Sequence, residues 1–228
     1  MKVTLDQAAI ARALAQVARS VPQHPAAPAL AGVKLTATGG VLTVAGCGYD
    51  RSAVLDVDAV VEEPGEVLAS CRLLADIAKQ APAQPVTLTS DGMRLLVECG
   101  TSRYTLPTLP MEEYPTLPTL PATTGRVDAV ELAAAVGQVA PAAAKDAEWL
   151  RGVAIEVAQG HLTLVATDRY RLAVRHLPWA CTSDLHGASL TVPADHLADI
   201  TKHLATSGEV RLHVPASGQG QVLGITTD

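Results

Sequence analysis

The chain has 228 residues, long for one compact domain and comfortable for two. Hydrophobic residues make up 48% and charged ones 18%, so it can bury a real core; only two Trp, four Tyr and no Phe leave that core to Leu, Val, Ile and Ala and exclude a broad aromatic platform for single strands. A net charge of −6, from 17 basic and 23 acidic residues, excludes a nucleic-acid wrapper working by bulk positive charge, so any DNA contact has to come from local placement.

Leu5, Ala9, Ala13 and Val17 keep four-residue spacing, with Ile10, Leu14 and Val21 alongside, which predicts a first amphipathic helix. Asp6 stands at its start, where a carboxylate satisfies free N–H groups and meets the positive dipole end. Pro22, Pro25 and Pro28 then break the chain into a loop. Alternation at Val33, Leu35 and Ala37, resumed at Leu42, Val44 and Gly46 after the Gly39-Gly40 turn, predicts a hairpin, and residues 54–61 a third strand. A second helix is expected over 70–81 with Leu73, Leu74, Ile77 and Ala78 inward. A second hairpin turns at Ser90-Asp91-Gly92, and 101–106 adds a strand. The segment 107–121, with five prolines, reads as a stiff extended linker.

The same order then recurs. Residues 10–18 (IARALAQVA) match 132–140 (LAAAVGQVA), 30–54 match 150–174 at an offset of 120, and LADIAK (74–79) matches LADITK (197–202). Within the middle block Gly32/Gly152, Gly40/Gly160, Leu42/Leu162 and Arg51/Arg171 coincide, and Asp128 repeats Asp6. The expected fold class is therefore α+β: two duplicated domains, each two helices against a largely antiparallel sheet, over 1–121 (with the linker 107–121) and 122–228. The second copy keeps a hairpin partner around 222–225 but has no counterpart of the 101–106 strand.

Catalytic frameworks are missing: no GxSxG, HExxH, GxxxxGK[ST] or GxGxxG is present. Cys47, Cys71, Cys99 and Cys181 have no CxxC spacing and read as small buried hydrophobes. His196 and His203, seven apart with Asp195 and Asp199 nearby, share a helical face without a second ligand cluster, so no metal or other cofactor is expected. Asp50-Arg51 and Asp168-Arg169 read as turn chemistry or local ion pairs rather than catalysts. The N-terminus has no apolar signal core and no stretch approaches the ~20 apolar residues of a membrane span, so the expectation is a cytoplasmic protein without a membrane partner.

The segment ATDRYRLAV (166–174) resembles the signature strand-turn in the second domain of the bacterial sliding clamp, the beta subunit of DNA polymerase III. Ser102-Arg103-Tyr104-Thr105-Leu106, Thr108-Leu109-Pro110 and Tyr114-Pro115 resemble the end of that family's first domain, and the helix followed by Pro28-Ala29-Leu30-Ala31-Gly32 its opening. The resemblance implies a nucleoid-associated processivity factor: protomers of three domains pairing head-to-tail into a ring around duplex DNA, with no catalysis. This chain would supply the first domain, most of the second, and no third. Two origins stay open, a fragment of a longer clamp or a short paralogue acting only as a peptide-binding adaptor; the unpaired sheet edge that a terminus at Asp228 would leave favours the fragment.

Two sets of residues carry the implied contacts. Arg12 and Arg19, seven apart, and Arg72 and Lys79, likewise seven apart, would face phosphates from the inner wall without reading bases, joined by His24 in the loop and by Lys145 and Lys202 in the second domain. Leu150, Thr167, Asp168, Arg169, Tyr170, Arg171 and Leu172 would form half of a cleft for short peptide motifs of polymerase, clamp loader and repair proteins, with Leu150 and Leu172 as apolar floor and Arg169 and Arg171 bonding carbonyls or carboxylates. Arg51 occupies the place of Arg171 in the first copy, where no cleft is expected, so a purely structural arginine is the competing reading.

Overall fold

The computed structural model describes residues 1–121, 125–158, 160–181, 188–204, 208–215 and 222–227. The chain divides into two units, Met1–Pro118 and Thr119–Asp228. Unit one runs β1 (Lys2–Leu5), α1 (Gln7–Val17), a 3-10 turn (Pro28–Ala31), β2 (Gly32–Thr38), β3 (Val41–Cys47), β4 (Ser52–Glu63), β5 (Gly65–Ser70), α2 (Cys71–Gln80), β6 (Val86–Ser90), β7 (Arg94–Cys99) and β8 (Ser102–Pro107). Unit two runs β9 (Gly125–Asp128), α3 (Ala129–Val139), 3-10 turns at Ala140–Ala142 and Glu148–Leu150, β10 (Gly152–Ala158), β11 (His161–Thr167), β12 (Leu172–Pro178), β13 (Ala180–Cys181), β14 (Ser189–Pro193), α4 (Ala194–Lys202), β15 (Glu209–His213) and β16 (Gly224–Thr227).

In unit one the strands form one antiparallel sheet in the order β5-β2-β3-β4-β1-β6-β7-β8. The twelve-residue β4 makes this possible, pairing β3 along Ser52–Asp58 and then β1 from Ala59 onward. Alternation works as the sequence predicts: Val33, Leu35, Ala37, Leu42 and Val44 face inward and are buried against Ile10, Leu14 and Val17 of α1 and Leu74 of α2. Gly46 lets α1 pack close against the sheet, because a Cβ there would run into the Val17 side chain. Unit two repeats the plan with two four-stranded sheets, β12-β11-β10-β14 and β13-β9-β15-β16, around Leu132, Val136, Ile155, Leu162, Leu164, Leu197 and Leu212. The counterpart of β4 is broken here between β12 and β13, at Pro178-Trp179.

Both helix starts behave as expected. Asp6 accepts from the Ala9 N–H at 2.9 Å, and Asp128 from the N–H groups of Val130 and Glu131, each at 2.9 Å. Four elements escape the sequence reading. Leu5 belongs to β1 rather than to the first helix, and β9 repeats it; both are four-residue strands running straight into a capped helix. β5 and β14 are also missed, β5 because Val67, Leu68 and Ala69 form an unbroken buried run instead of alternating. Leu73, expected inward, is 51% exposed, since α2 buries Cys71, Leu74 and Ala78.

The proline-rich segment is fastened at its start and at its end. Thr108 bridges Ala69, the Leu109 N–H donates to the Leu68 carbonyl at 2.8 Å, and the Tyr114 hydroxyl donates to the Ala45 carbonyl at 3.3 Å. Burial pushes the Tyr114 phenol up to about 12. Further on, the buried His213 donates from Nδ1 to the Pro121 carbonyl at 2.8 Å, with Nε2 3.0 Å from the Thr226 hydroxyl. Cys47, Cys71 and Cys99 are free and buried as expected; the side chain of Cys181 lies outside the described residues. Among the described residues no helix is long and apolar enough to cross a membrane.

Candidate functional site

The turn joining β11 to β12 is built by its own short polar residues. The Thr167 hydroxyl donates to the Arg171 carbonyl at 2.7 Å and accepts from the Arg169 N–H at 3.2 Å. Asp168 Oδ1 accepts from the N–H groups of Tyr170 (3.1 Å) and Arg171 (3.0 Å), and its Oδ2 from Arg171 Nε at 3.0 Å. Desolvation works to raise the Asp168 pKa, but the two N–H bonds and the Arg171 guanidinium outweigh it and hold the carboxyl below its ordinary value. Arg169 takes φ 80, the left-handed region, alone among the described non-glycine residues. With the polar groups turned inward, Tyr170 (92% exposed) and Leu172 (65%) are displayed, followed along β12 by the exposed Val174.

A second segment lies beside this hairpin. Arg171 Nη2 donates to the Pro141 carbonyl at 2.5 Å, which ties the hairpin to the 3-10 turn after α3. The half-buried Leu150 closes the next turn, its N–H on the Ala147 carbonyl and its own carbonyl accepting from the Ala144 N–H, both at 2.9 Å. Its neighbour Trp149, 74% exposed, lies under the Arg169 guanidinium, whose Cζ is 5.9 Å from the ring centroid. The structure therefore brings the 148–150 turn and the 167–172 hairpin together. Trp149, which the sequence reading did not single out, belongs with them. A large aromatic in a chain with two Trp, next to a proposed apolar floor, was the available signal. Arg171 is occupied inside the turn, which leaves Arg169 as the arginine that reaches outward.

The first copy has the same turn with different chemistry. The Gly48 N–H donates to the Arg51 carbonyl at 2.8 Å, as Asp168 does to Arg171 at 3.4 Å. The tip residue Tyr49, aligned with Arg169, accepts on its hydroxyl from the Ala26 N–H at 3.1 Å.

The basic residues fall into less of a pattern. Arg12 is exposed on α1, with Nε donating to the Ala8 carbonyl at 3.3 Å. Arg19 is exposed two residues beyond the end of α1, in the following turn rather than on a shared helical face, and His24 is exposed in the loop. Arg72 and Lys79 are exposed on α2, which packs against α1, with Asp76 at helical spacing from both. Lys145 is exposed next to Asp146, and Lys202 closes α4 in its last turn, where a cation suits the dipole. Helix α3, paired with α4, carries no Lys or Arg. Among the described residues no group of three or more His, Cys, Asp or Glu is placed to hold a metal ion.

Residues 1–118 match the family model described as the N-terminal domain of the DNA polymerase III beta subunit, and residues 126–226 that of its central domain. A beta sliding clamp of Streptomyces coelicolor is 45% identical over 225 residues, 98% of this chain and 60% of that protein. One from Micrococcus luteus is 39% identical over 214 residues, covering 93% of this chain and 69% of the relative. The crystal structure of the DNA polymerase III subunit beta from Pseudomonas aeruginosa superposes with a TM-score of 0.89 at 29% identity, covering 100% of this chain and 62% of that one. The chain thus spans 60–69% of the length of these relatives.

Proposed function

Since the chain belongs to the DNA polymerase III beta subunit family, the bacterial sliding clamps, we propose that it works as a clamp or as the first two domains of one. In this reading it is a non-catalytic tether of the nucleoid, holding polymerase and other partners on duplex DNA through short peptide motifs. The carrying observation is the repetition of one α+β unit twice in succession, each copy matched from end to end by a different clamp domain.

The chemistry of the proposed contacts follows from the side chains. A tether has to slide, so its DNA-facing side chains should attract phosphates without engaging bases. Exposed Arg12, Arg19, Arg72 and Lys79 and, in unit two, Lys145 and Lys202 are charges of that sort, long and flexible, and the exposed imidazole of His24 adds a hydrogen-bonding group in the loop. Partner capture needs the opposite, a rigid displayed surface. The hairpin supplies it, because the Thr167, Asp168 and Arg171 bonds fix the backbone while Tyr170, Leu172 and Trp149 offer apolar area.

Retention on DNA of different topology tests the reading. A closed ring stays on a nicked circular plasmid after loading and slides off once the plasmid is linearised. Loss on linearisation supports encirclement. Retention that ignores topology, or none at all with peptide capture intact, supports an adaptor instead.

A further inference from the structure

Two arginines flank Tyr170, and the turn employs only one of them. Arg171 directs Nε to Asp168 and Nη2 to the Pro141 carbonyl, and so acts as a strut. Arg169 is fixed only through its backbone, by the N–H bond to the Thr167 hydroxyl. Its guanidinium lies over the exposed face of Trp149, and among the described residues no carboxylate pairs with it. A cation above an exposed ring is weakly held and yields to a carboxylate, which offers the guanidinium two acceptors in its own plane. Local charge points the same way. Within residues 165–172 the single acid, Asp168, is already engaged by Arg171, which leaves Arg169 as the charge open to a ligand. Along the same strand Leu172 and Val174 present exposed apolar side chains on alternate residues.

On the reading of this hairpin as a peptide surface, we propose that Arg169 is its charge selector: the occupant is an extended peptide alternating apolar and acidic residues, and its carboxylate draws the guanidinium off Trp149. The apolar residues lie over Leu172 and Val174, and the uncovered indole takes up part of the ligand's apolar surface. Trp149 then reports occupancy directly. Trp179, the only other tryptophan, is 4% exposed and serves as an internal control.

The probes are the blocked hexapeptide Leu-Glu-Leu-Glu-Leu-Ala and its twin with Gln for Glu, titrated into the isotope-labelled chain while the two indole N–H signals are followed by NMR. An exposed charge pair at one site gives about a threefold preference for the acidic twin, lost at ~1 M salt. Arg169→Gly removes the guanidinium and suits the left-handed backbone, so the turn stays folded. It is expected to bind both twins with the wild-type affinity for the Gln peptide, whereas Arg169→Lys keeps part of the preference. Equal affinity of the wild type for both twins, with Trp149 shifting, overturns the selector and leaves the peptide surface standing. An acidic preference that survives in Arg169→Gly overturns it too, by showing that another cation selects. No shift at Trp149, Tyr170 or Leu172 with either peptide removes the surface itself and the selector with it.

Discussion

Leu172→Asp is the sharpest single test of the hairpin as a peptide surface. Leu172 opens β12 opposite Thr167, at the last pair of the β11–β12 ladder, and 65% of it faces water. Fully burying a leucine is worth about 2 kcal/mol, so covering the exposed part contributes about 1.3 kcal/mol to a bound peptide. Truncation to Ala should therefore weaken binding about tenfold. Asp adds the cost of placing a carboxylate under the ligand's apolar side chain, of order 1–3 kcal/mol. For a surface that starts near a millimolar Kd, about −4 kcal/mol, that is loss of detectable binding. The fold should not suffer, because the side chain is displayed rather than packed; a change within about 0.5 kcal/mol is expected. Chemical-shift titration gives the affinity and a thermal scan gives the stability. Wild-type affinity in Leu172→Asp means this strand merely completes the sheet. A large drop in Tm means the residue packs, and that the displayed-floor argument is mistaken.

Other perturbations test single links. Asp128→Ala is expected to cost about 1.5 kcal/mol and Asp6→Ala about 1 kcal/mol, since Asp128 caps two N–H groups and Asp6 one; Asn at either site should restore most of the loss in denaturant melts. The Asp168 carboxyl is held below its ordinary value in the fold, so its contribution to the turn is present above the unfolded-state value of about 4 and is lost as pH falls through the lower folded value. The amide signals of Tyr170 and Arg171 should accordingly move below about pH 4, and not in Asp168→Asn. Burial pushes the Cys71 thiol up to about 11 and raises that of Cys47 as well, and the Cys99 side chain is buried too. In a Cys181→Ser background, a disulfide reagent at pH 8 should therefore label the native chain far more slowly than the unfolded one, as judged by mass spectrometry.

The duplication and its helices and hairpins were legible because period and punctuation agree: capped four-residue spacing for α1 and α3, alternation around Gly39-Gly40 for β2 and β3. What escaped lay where local pattern is overruled. β1 and β9 are too short to show a period and abut the helices whose spacing absorbs them. β5 is buried on both faces near the sheet edge, so it does not alternate. Leu73 follows the apolar content of α2 but not its phase, which is set by Cys71, Leu74 and Ala78. At the hairpin the residue types were readable, whereas their division of labour was not. That Arg171 bonds inward and Arg169 outward depends on the left-handed corner at 169 and on where the Pro141 carbonyl happens to sit. Trp149 joins the group only through the folding of the 140–150 turns.

The two copies differ both in what this turn displays and in how its corner is fixed, and the second difference comes down to one Cβ. Both copies end β3 or β11 in the same turn, with Gly48 in the place of Asp168, Asp50 in that of Tyr170 and Ser52 in that of Leu172. Unit two fixes its turn with the Asp168 carboxylate. Unit one has no room for that device, because a Cβ on Gly48 would come 2.6 Å from the Ser20 carbonyl in the turn that follows α1. Backbone does not retreat as a flexible side chain would, so even Gly48→Ala should cost about 1–3 kcal/mol. Asp168→Gly tolerates the same exchange in reverse, losing the turn's bonds but meeting no obstruction. The asymmetry is measurable in urea melts of the two variants: unit one should lose stability from gaining a methyl, unit two from losing a carboxylate. If Gly48→Ala proves neutral, the turn after α1 is soft, and its packing against the hairpin is not what bars a carboxylate from this corner of the first copy.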